Sequence, residues 1–429
     1  MNLTTLRNLR KSNFTRNVSL LVGGTIIGQL LAIICSPLLT RLYTPDYFGI
    51  LSLYLAFINI VSVASALRYE LAIVSSKTVL EARYVMILSL ILSVITSLVF
   101  SLGLFALIYY NLFDFNKLGY WTVWVSIPTL FFNSVFTILR YWYVKYGDFK
   151  VISKVTVFRS VFKIIIQLVF GFFSFKSLGL IMGECLSRIF GAEGMIRNLY
   201  KDTINEIKTL NFRMLKYVAK KHYRYPAFVT ASSVFDITAV MLPFPLIASL
   251  FSVKEAGYFA LVQRMMTLPL NVIGSGFADV FHNKMSDMKT AKQKLGSFFF
   301  KSTFTLFLLG IIPFTIIFLY GKDIFTFCFG AKWVMAGETA SMVAYWMLVQ
   351  FVVSPLTRIV FVLEGQRGKF IYDITALVIM VPVFVVSSNL KLPFLVTIKW
   401  LSIFNIFSYI LYYLILCYLI LKTDKECAV

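Results

Sequence analysis

Charged side chains recur inside long apolar stretches of this sequence, at spacings that would bring several of them together. Arg159 and Lys163 are four residues apart and therefore share one face of a helix. Because an ionised side chain at the centre of a bilayer costs about 2.5–3.5 kcal/mol, such residues are expected to face protein or water. The cations that we predict to line a shared ligand-binding cavity are Lys163, Arg188, Arg264, Arg159 and Arg358.

Acidic residues are fewer than basic ones in these stretches. Glu184 and Arg188 lie four residues apart, which permits an ion pair within one helix, whereas Asp236 has no obvious partner in its own helix. The predicted cavity would therefore be positively charged and suited to an anionic ligand. Asp236 and Glu184 are candidates for coupling transport to a proton or cation gradient, and structural ion pairs are the alternative interpretation of both.

The composition indicates a membrane protein. Hydrophobic residues make up 59% of the 429-residue chain and charged residues 14%, which is more apolar surface than a water-soluble protein can bury. A membrane-spanning helix needs about 20 mostly apolar residues, and we predict an all-α fold with twelve such spans. The spans are 18–40, 47–67, 85–108, 120–140, 155–173, 178–197, 225–250, 255–281, 297–320, 336–363, 371–389 and 394–421.

The basic residues, which give the chain a net charge of +22, indicate its orientation rather than a nucleic-acid site. Lys and Arg concentrate in alternate loops, and because such loops face the cytoplasm, both termini are predicted to be cytoplasmic. The longest basic segment separates two halves. The predicted divisions are a cytoplasmic N-terminus 1–17, an N-terminal lobe 18–200, a basic linker 201–224, a C-terminal lobe 225–421 and a cytoplasmic tail 422–429.

An internal repeat supports this division into halves. The skeleton of the segment Pro37 to Gly49 recurs as Pro245 to Gly257. An even number of predicted spans separates the two copies, so the two six-helix lobes would cross the membrane in the same direction, around a central cavity. Since proline weakens a helix locally, Pro37 and Pro245 are hinge candidates, although they could instead only shape the helix ends.

No catalytic or metal-binding constellation is recognisable. The five cysteines and two histidines show no metal-ligand spacing, and no P-loop indicates a primary pump. The predicted outer loops are short, and both histidines fall on the predicted cytoplasmic side. We therefore predict no cofactor and no catalytic residue, which disfavours a membrane polysaccharide polymerase or a lipid-linked glycosyltransferase.

The segment Leu39 to Gly49, together with twelve spans in two parallel halves, resembles the O-antigen and polysaccharide flippases of the multidrug/oligosaccharidyl-lipid/polysaccharide exporter superfamily. The resemblance continues through Leu67 to Glu70, Arg159-Ser160, Gly257-Tyr258 and Phe329-Gly330, and covers nearly the whole chain. It implies a bacterial inner-membrane protein that moves an undecaprenyl-pyrophosphate-linked oligosaccharide from the cytoplasmic to the periplasmic or outer leaflet by alternating access. The implied partners are this glycolipid, membrane lipids, a polysaccharide polymerase and a chain-length regulator, with no nucleic acid.

A multidrug or cation antiporter of the same superfamily is the main alternative. Antiporters that bind cations need membrane-embedded carboxylates, often in the N-terminal lobe, and the first five predicted spans contain none. A flippase for murein lipid II is a further alternative, but such proteins usually resemble fourteen-span chains.

Overall fold

The computed structural model describes residues 23–197, 199, 211–363, 378 and 380–426, and the regular secondary structure within these ranges is helical, with no strand. The predicted N-terminal segment 1–17 lies outside the described residues. So do residues 201–210 of the predicted linker, 371–377 of the predicted span 371–389, and 427–429 of the predicted tail. The chain forms two compact units, one of residues 1–43 and 50–245 and the other of residues 44–49 and 246–429.

The first unit contains the following described helices, in chain order. They are α1 (Gly23–Ile34), α2 (Ser36–Leu42), most of α3 (Pro45–Ser62), α4 (Glu70–Ser75), α5 (Val79–Tyr109), α6 (Trp121–Tyr146), α7 (Phe149–Phe172), α8 (Lys176–Arg197), α9 (Phe212–Lys221) and α10 (Thr230–Met241). A 3₁₀ helix, Leu112–Leu118, joins α5 to α6. A π turn, Tyr225–Val229, precedes α10.

The second unit contains Thr44 and the first residues of α3, Pro45 to Gly49, and it continues after Pro245. Its described helices are the end of α11 (Pro243–Leu250), then α12 (Val253–Pro269), α13 (Ser275–Thr290), α14 (Gly296–Phe329), α15 (Val334–Leu356), α16 (Ile359–Val362), α17 (Met380–Asn389) and α18 (Phe394–Glu426). A π turn, Leu270–Gly274, separates α12 from α13. The 3₁₀ turn Ala331–Trp333 leads into α15.

Polar side chains and glycines define where these apolar helices begin and end. The Thr78 hydroxyl accepts a hydrogen bond from the Glu81 amide (3.1 Å) at the start of α5, which satisfies one of the free donors of the first turn. Gly147 ends α6 with a φ of +76°, a conformation that glycine adopts without strain. At the start of α14, the Asp424 carboxylate of α18 accepts hydrogen bonds from the amides of Leu295 (2.7 Å) and Gly296 (2.9 Å).

Seven helices among the described residues are long and apolar enough to cross a membrane, and up to nine spans result if each of two bent pairs counts as one. The seven are α3, α5, α6, α7, α14, α15 with its leading 3₁₀ turn, and α18. The bent pairs are α1 with α2, at 41°, and the helical stretch Tyr225–Met241 with α11, at 42°. The chain is therefore a multi-pass, all-helical membrane protein.

The two bends lie close to the predicted hinge prolines. In the first pair the helix breaks at Cys35, and Pro37 lies in the first turn of α2. In the second pair the break falls at Leu242, directly before Pro243, so Pro245 is two residues inside α11. Both bends therefore occupy corresponding places in the repeat, and Pro243 rather than Pro245 adjoins the second break.

Glycines let α1 pack closely against α7 in the first unit. A Cβ atom at Gly24 would overlap the hydroxyl of Ser153, and one at Gly28 would overlap the hydroxyl of Ser160. This close approach brings Thr25 of α1 to the wall of a cavity that also involves α7. The pattern of small residues at Gly24 and Gly28 is thus used for packing between neighbouring helices of one chain.

Candidate functional site

A cavity of about 280 Å³ lies within the first unit, between α1, α6, α7 and α8. Its wall combines charged, hydroxyl and apolar side chains. The lining residues are Thr25, Phe136, Arg140, Ile152, Thr156, Arg159, Ser160, Lys163, Glu184 and Ser187. Thr156, Arg159, Ser160 and Lys163 recur at intervals of three and four on α7, which places them on one face of that helix.

Glu184 of α8 connects two of the predicted cations. Its Oε1 atom lies 3.1 Å from Lys163 Nζ on α7, and its Oε2 atom lies 3.7 Å from an Nη atom of Arg188 on α8. The pairing of Glu184 with Arg188, expected from their spacing, is confirmed. Both residues are buried, with exposed fractions of 8% and 5%, so these charges depend on protein partners rather than on bulk water.

Arg159 is held in the same cavity by a different set of contacts. Its Nη2 atom donates a hydrogen bond to Asn133 Oδ1 on α6 (3.3 Å), and its guanidinium carbon lies 4.9 Å from the centre of the Phe136 ring. Gly191 of α8 faces the stem of the arginine, where a Cβ atom would lie close to its Cδ. The guanidinium therefore has a defined position against α6, stabilised by a cation–π contact.

Two hydrogen-bond donors of Arg188 are unused. Its Nε and Nη1 atoms are buried and have no hydrogen-bond partner among the described residues. Nearby on the same helix, Ser187 lines the cavity and its hydroxyl donates to the Glu184 carbonyl (3.0 Å). Because a buried N–H without an acceptor is costly, Arg188 is suited to an additional oxygen acceptor.

The charges of this site favour an anion. Arg159, Lys163 and Arg188 contribute three positive charges against the single carboxylate of Glu184, and Arg140 adds a further cation to the lining. Arginine and lysine together are the usual ligands of phosphate oxygens in proteins. No group of three or more His, Cys, Asp or Glu side chains among the described residues could hold a metal ion.

The remaining predicted site residues lie elsewhere. Arg358, between α15 and α16 in the second unit, is exposed and forms an ion pair with Asp279 of α13 (2.7 Å). Arg264 is half-buried on α12 of the second unit. Asp236 is exposed on α10 of the first unit. The structure thus brings Arg159, Lys163, Glu184 and Arg188 together within one unit.

Several lining residues had not been predicted. Phe136, Thr156, Ser160 and Ser187 are ordinary apolar or hydroxyl residues whose identities carry no signal of binding. The helical spacing of Thr156 and Ser160 relative to Lys163 would have placed them on the cavity face. Phe136 required knowledge of how α6 packs against α7, which the sequence pattern alone does not supply.

Comparison with known families gives a match over most of the chain. Residues 38–338 match the family model described as "Polysaccharide biosynthesis protein". No curated protein matches the chain in sequence.

Solved membrane transporters share this fold at low sequence identity. An inward-facing multidrug resistance MATE family transporter of the MOP superfamily superposes with a TM-score of 0.67 and 14% identity, covering 95% of each chain. The lipid II flippase MurJ, in an inward closed conformation, gives 0.66 and 13%, covering 96% of this chain and 91% of its own. The eukaryotic MATE transporter AtDTX14 gives 0.62 and 13%, with coverage of 96% and 98%. The chain therefore has the fold shared by these transporters.

Proposed function

Because the chain belongs to the family of polysaccharide biosynthesis proteins, we propose that it is a flippase for undecaprenyl-pyrophosphate-linked oligosaccharide repeat units, such as those of O-antigen or another surface polysaccharide. The protein would move them from the cytoplasmic to the periplasmic or outer leaflet. The observation that carries this proposal is the positively charged cavity lined by Arg140, Arg159 and Lys163, where the single lining carboxylate, Glu184, is already paired with Lys163 and Arg188. A pyrophosphate diester carries about two negative charges, which this cavity can neutralise.

The proposed mechanism separates the polar and apolar parts of the substrate. The pyrophosphate and the sugars enter the cavity, while the polyprenyl tail stays in lipid. Alternating access would operate between two six-helix lobes with twelve spans in all, and Arg264 and Arg358 would contribute from the second lobe. The bends near Pro37 and Pro243 are the places where these lobes could flex, and Asp236 and Glu184 remain the candidates for coupling to an ion gradient.

The proposed setting is the bacterial inner membrane, with both termini in the cytoplasm. A polysaccharide polymerase and a chain-length regulator are the partners that such a flippase would supply.

An antiporter for drugs or cations is the second candidate, because MATE transporters share the fold. A cation site would need a carboxylate that is available for an incoming cation. Glu184 is buried in the cavity, but Lys163 and Arg188 already occupy its two oxygens. The contacts of Glu184 therefore favour an anionic passenger.

The proposal is tested by flipping of a fluorescent undecaprenyl-pyrophosphate oligosaccharide in proteoliposomes that contain the full-length protein. Lys163→Gln removes a cavity cation while Arg188 still balances Glu184, so we expect flipping to fall about tenfold or more with little loss of protein. Lys154→Gln is the matched control, because Lys154 is exposed on the same helix. Wild-type flipping by the Lys163 variant, or protein-dependent export of cationic drugs without glycolipid flipping, would contradict the proposal.

A further inference from the structure

Glu184 is the carboxylate among the residues that line the cavity, and it faces the cations that the proposed substrate needs. We infer that Glu184 is an internal counter-ion, which competes with the anionic headgroup of the substrate for Lys163 and Arg188 and thereby limits how tightly that headgroup is held. This inference rests on the proposed function. It assigns to Glu184 control of substrate affinity and release rather than direct binding.

The carboxylate of Glu184 contacts both of the cations for which a phosphate would compete. Its two oxygens are divided between the two cations, at 3.1 Å from Lys163 Nζ and 3.7 Å from an Nη atom of Arg188. Lys163 and Glu184 both line the cavity, whereas Arg188, which is 5% exposed, is not among the lining residues and is contacted by the carboxylate. A phosphate that contacts both must therefore displace the carboxylate or be repelled by it.

Arg188 has hydrogen-bond donors that a phosphate could use in place of the carboxylate. Its Nε and Nη1 atoms have no hydrogen-bond partner among the described residues. Its Nη2 atom lies 3.7 Å from Glu184 Oε2, which is longer than a hydrogen bond. A phosphate offers more acceptor oxygens than a carboxylate and can engage a guanidinium through two parallel hydrogen bonds. When the headgroup leaves, the carboxylate again neutralises the cations, which would otherwise repel each other in a buried site. Glu184 thus favours release.

A matched control exists on the same helix. Glu193 and Arg197 have the same four-residue spacing on α8 and form an ion pair, but both side chains are exposed, at 41% and 76%. An exposed pair of this kind is screened by water and contributes little. Glu193→Gln therefore removes a carboxylate from α8 without changing the charge of the cavity.

The experiment measures binding and flipping in the same variants of the full-length protein. Binding is measured with undecaprenyl pyrophosphate in nanodiscs, using neutral undecaprenol as the control ligand. Since Glu184→Gln removes a like charge within a few ångströms of the bound phosphate, we expect it to tighten undecaprenyl pyrophosphate binding about tenfold or more. We also expect it to slow flipping and to leave undecaprenol binding unchanged, while Glu193→Gln behaves as wild type.

Tighter binding together with slower flipping in Glu184→Gln distinguishes competition by the carboxylate from a purely structural role. If Glu184 only holds Lys163 and Arg188 in place, Glu184→Gln will weaken binding and slow flipping together, and the inference is overturned while Lys163→Gln still loses binding. If Lys163→Gln binds undecaprenyl pyrophosphate as wild type does, the proposed function and this inference both fail. Glu184→Asp keeps the charge but withdraws it by one methylene, so it should bind more tightly than wild type, which provides the test if Glu184→Gln does not fold.

Discussion

The three cations Arg159, Lys163 and Arg188 are held in place by different kinds of contact. Lys163 and Arg188 are held by the carboxylate of Glu184. Arg159 is held by the neutral partners Asn133 and Phe136, so no carboxylate in the described part of the chain balances its charge by direct contact. Of Arg159, Lys163 and Arg188, Arg159 is consequently the cation whose attraction for an anionic ligand is least offset by a neighbour.

The geometry of Arg159 predicts that lysine replaces it only in part. Arg159→Lys keeps the charge but loses the planar group that packs on Phe136 and bonds to Asn133, and a hydrogen bond to a charged group contributes about 1.5–3 kcal/mol. We expect flipping in proteoliposomes to fall about tenfold in Arg159→Lys and further in Arg159→Gln. Arg197→Lys, at an exposed position of α8, serves as control. Equal flipping by Arg159→Lys and wild type would show that only the charge matters.

Residue-scale prediction from sequence succeeded where the interaction is local. The pair Glu184–Arg188 follows from helical spacing and is observed. The contact of Lys163 with Glu184 joins two helices, and that of Arg358 with Asp279 joins residues far apart in sequence. Periodicity identifies the face of a helix that carries a charge, but the partner across the interface depends on packing that periodicity does not encode.

Helices α3 and α12 cross at their first turns, which belong to the same compact unit. A Cβ atom at Gly49 would overlap the carbonyl oxygen of Val253, and one at Gly257 would overlap that of Pro45. Gly49 and Gly257 are equivalent positions of the internal repeat, and so are Pro45 and Val253. Each glycine therefore contacts the carbonyl oxygen of the residue that lies four positions before the other glycine. The contact is therefore reciprocal, and both helices approach through backbone atoms.

This crossing predicts that alanine is not tolerated at either glycine. The atoms that the new methyl group would meet are backbone carbonyls, which cannot rotate away, so the two helices must separate, at a cost of about 1–3 kcal/mol for each variant. We expect Gly49→Ala and Gly257→Ala to lower the apparent melting temperature of the purified protein. Gly276→Ala is the matched control, because a Cβ atom there has nothing within 4 Å. A crossing that tolerates alanine would leave all three variants with similar melting temperatures.

The repeat in the sequence indicated that Gly49 and Gly257 are equivalent, but it did not reveal that they pack against each other. It also identified prolines near both helix bends, of 41° and 42°. The second bend adjoins Pro243, which has no counterpart at the matching position of the first copy. Similar bends thus arise from different proline positions, because a helix can break at several neighbouring residues with comparable effect.

Helix α9, which lies in the predicted basic linker, packs against the other helices of the first unit. Val218 is fully buried against the first unit, and the Tyr69 hydroxyl donates to the Ala219 carbonyl (3.0 Å). Lys221 lies 2.8 Å from the Glu81 carboxylate, and this hydrogen bond raises the pKa of Lys221. The opposite face exposes Arg213, Lys216 and Lys220, and we predict that this basic face lies on the cytoplasmic side of the membrane.

Cysteine labelling tests this orientation. In a chain with its native cysteines replaced, Lys117→Cys lies before α6 and Lys150→Cys at the start of α7, and both positions are exposed. We expect an impermeant maleimide to label Lys117→Cys in intact spheroplasts, and Lys150→Cys only after permeabilisation. Detergent-solubilised samples, in which both should react fully, provide the control. The reverse pattern would place the termini outside.

The charge of the substrate predicts that the whole transport cycle responds to membrane voltage. Two negative charges that move outward from an interior-negative cell gain about 2.3 kcal/mol per charge for every 100 mV, provided that the cations that bind them do not cross the field with them. Since Lys163 and Arg159 are fixed on α7, one of the helices that are long and apolar enough to cross a membrane, we expect flipping in proteoliposomes to accelerate when a potassium diffusion potential makes the side from which substrate leaves negative. Reversing the potential should slow flipping, and collapsing it with an ionophore should restore the basal rate. A flipping rate that does not depend on voltage but depends on a pH or sodium gradient would instead indicate ion coupling. Loss of that dependence in Asp236→Asn or Glu184→Gln would identify the carboxylate responsible.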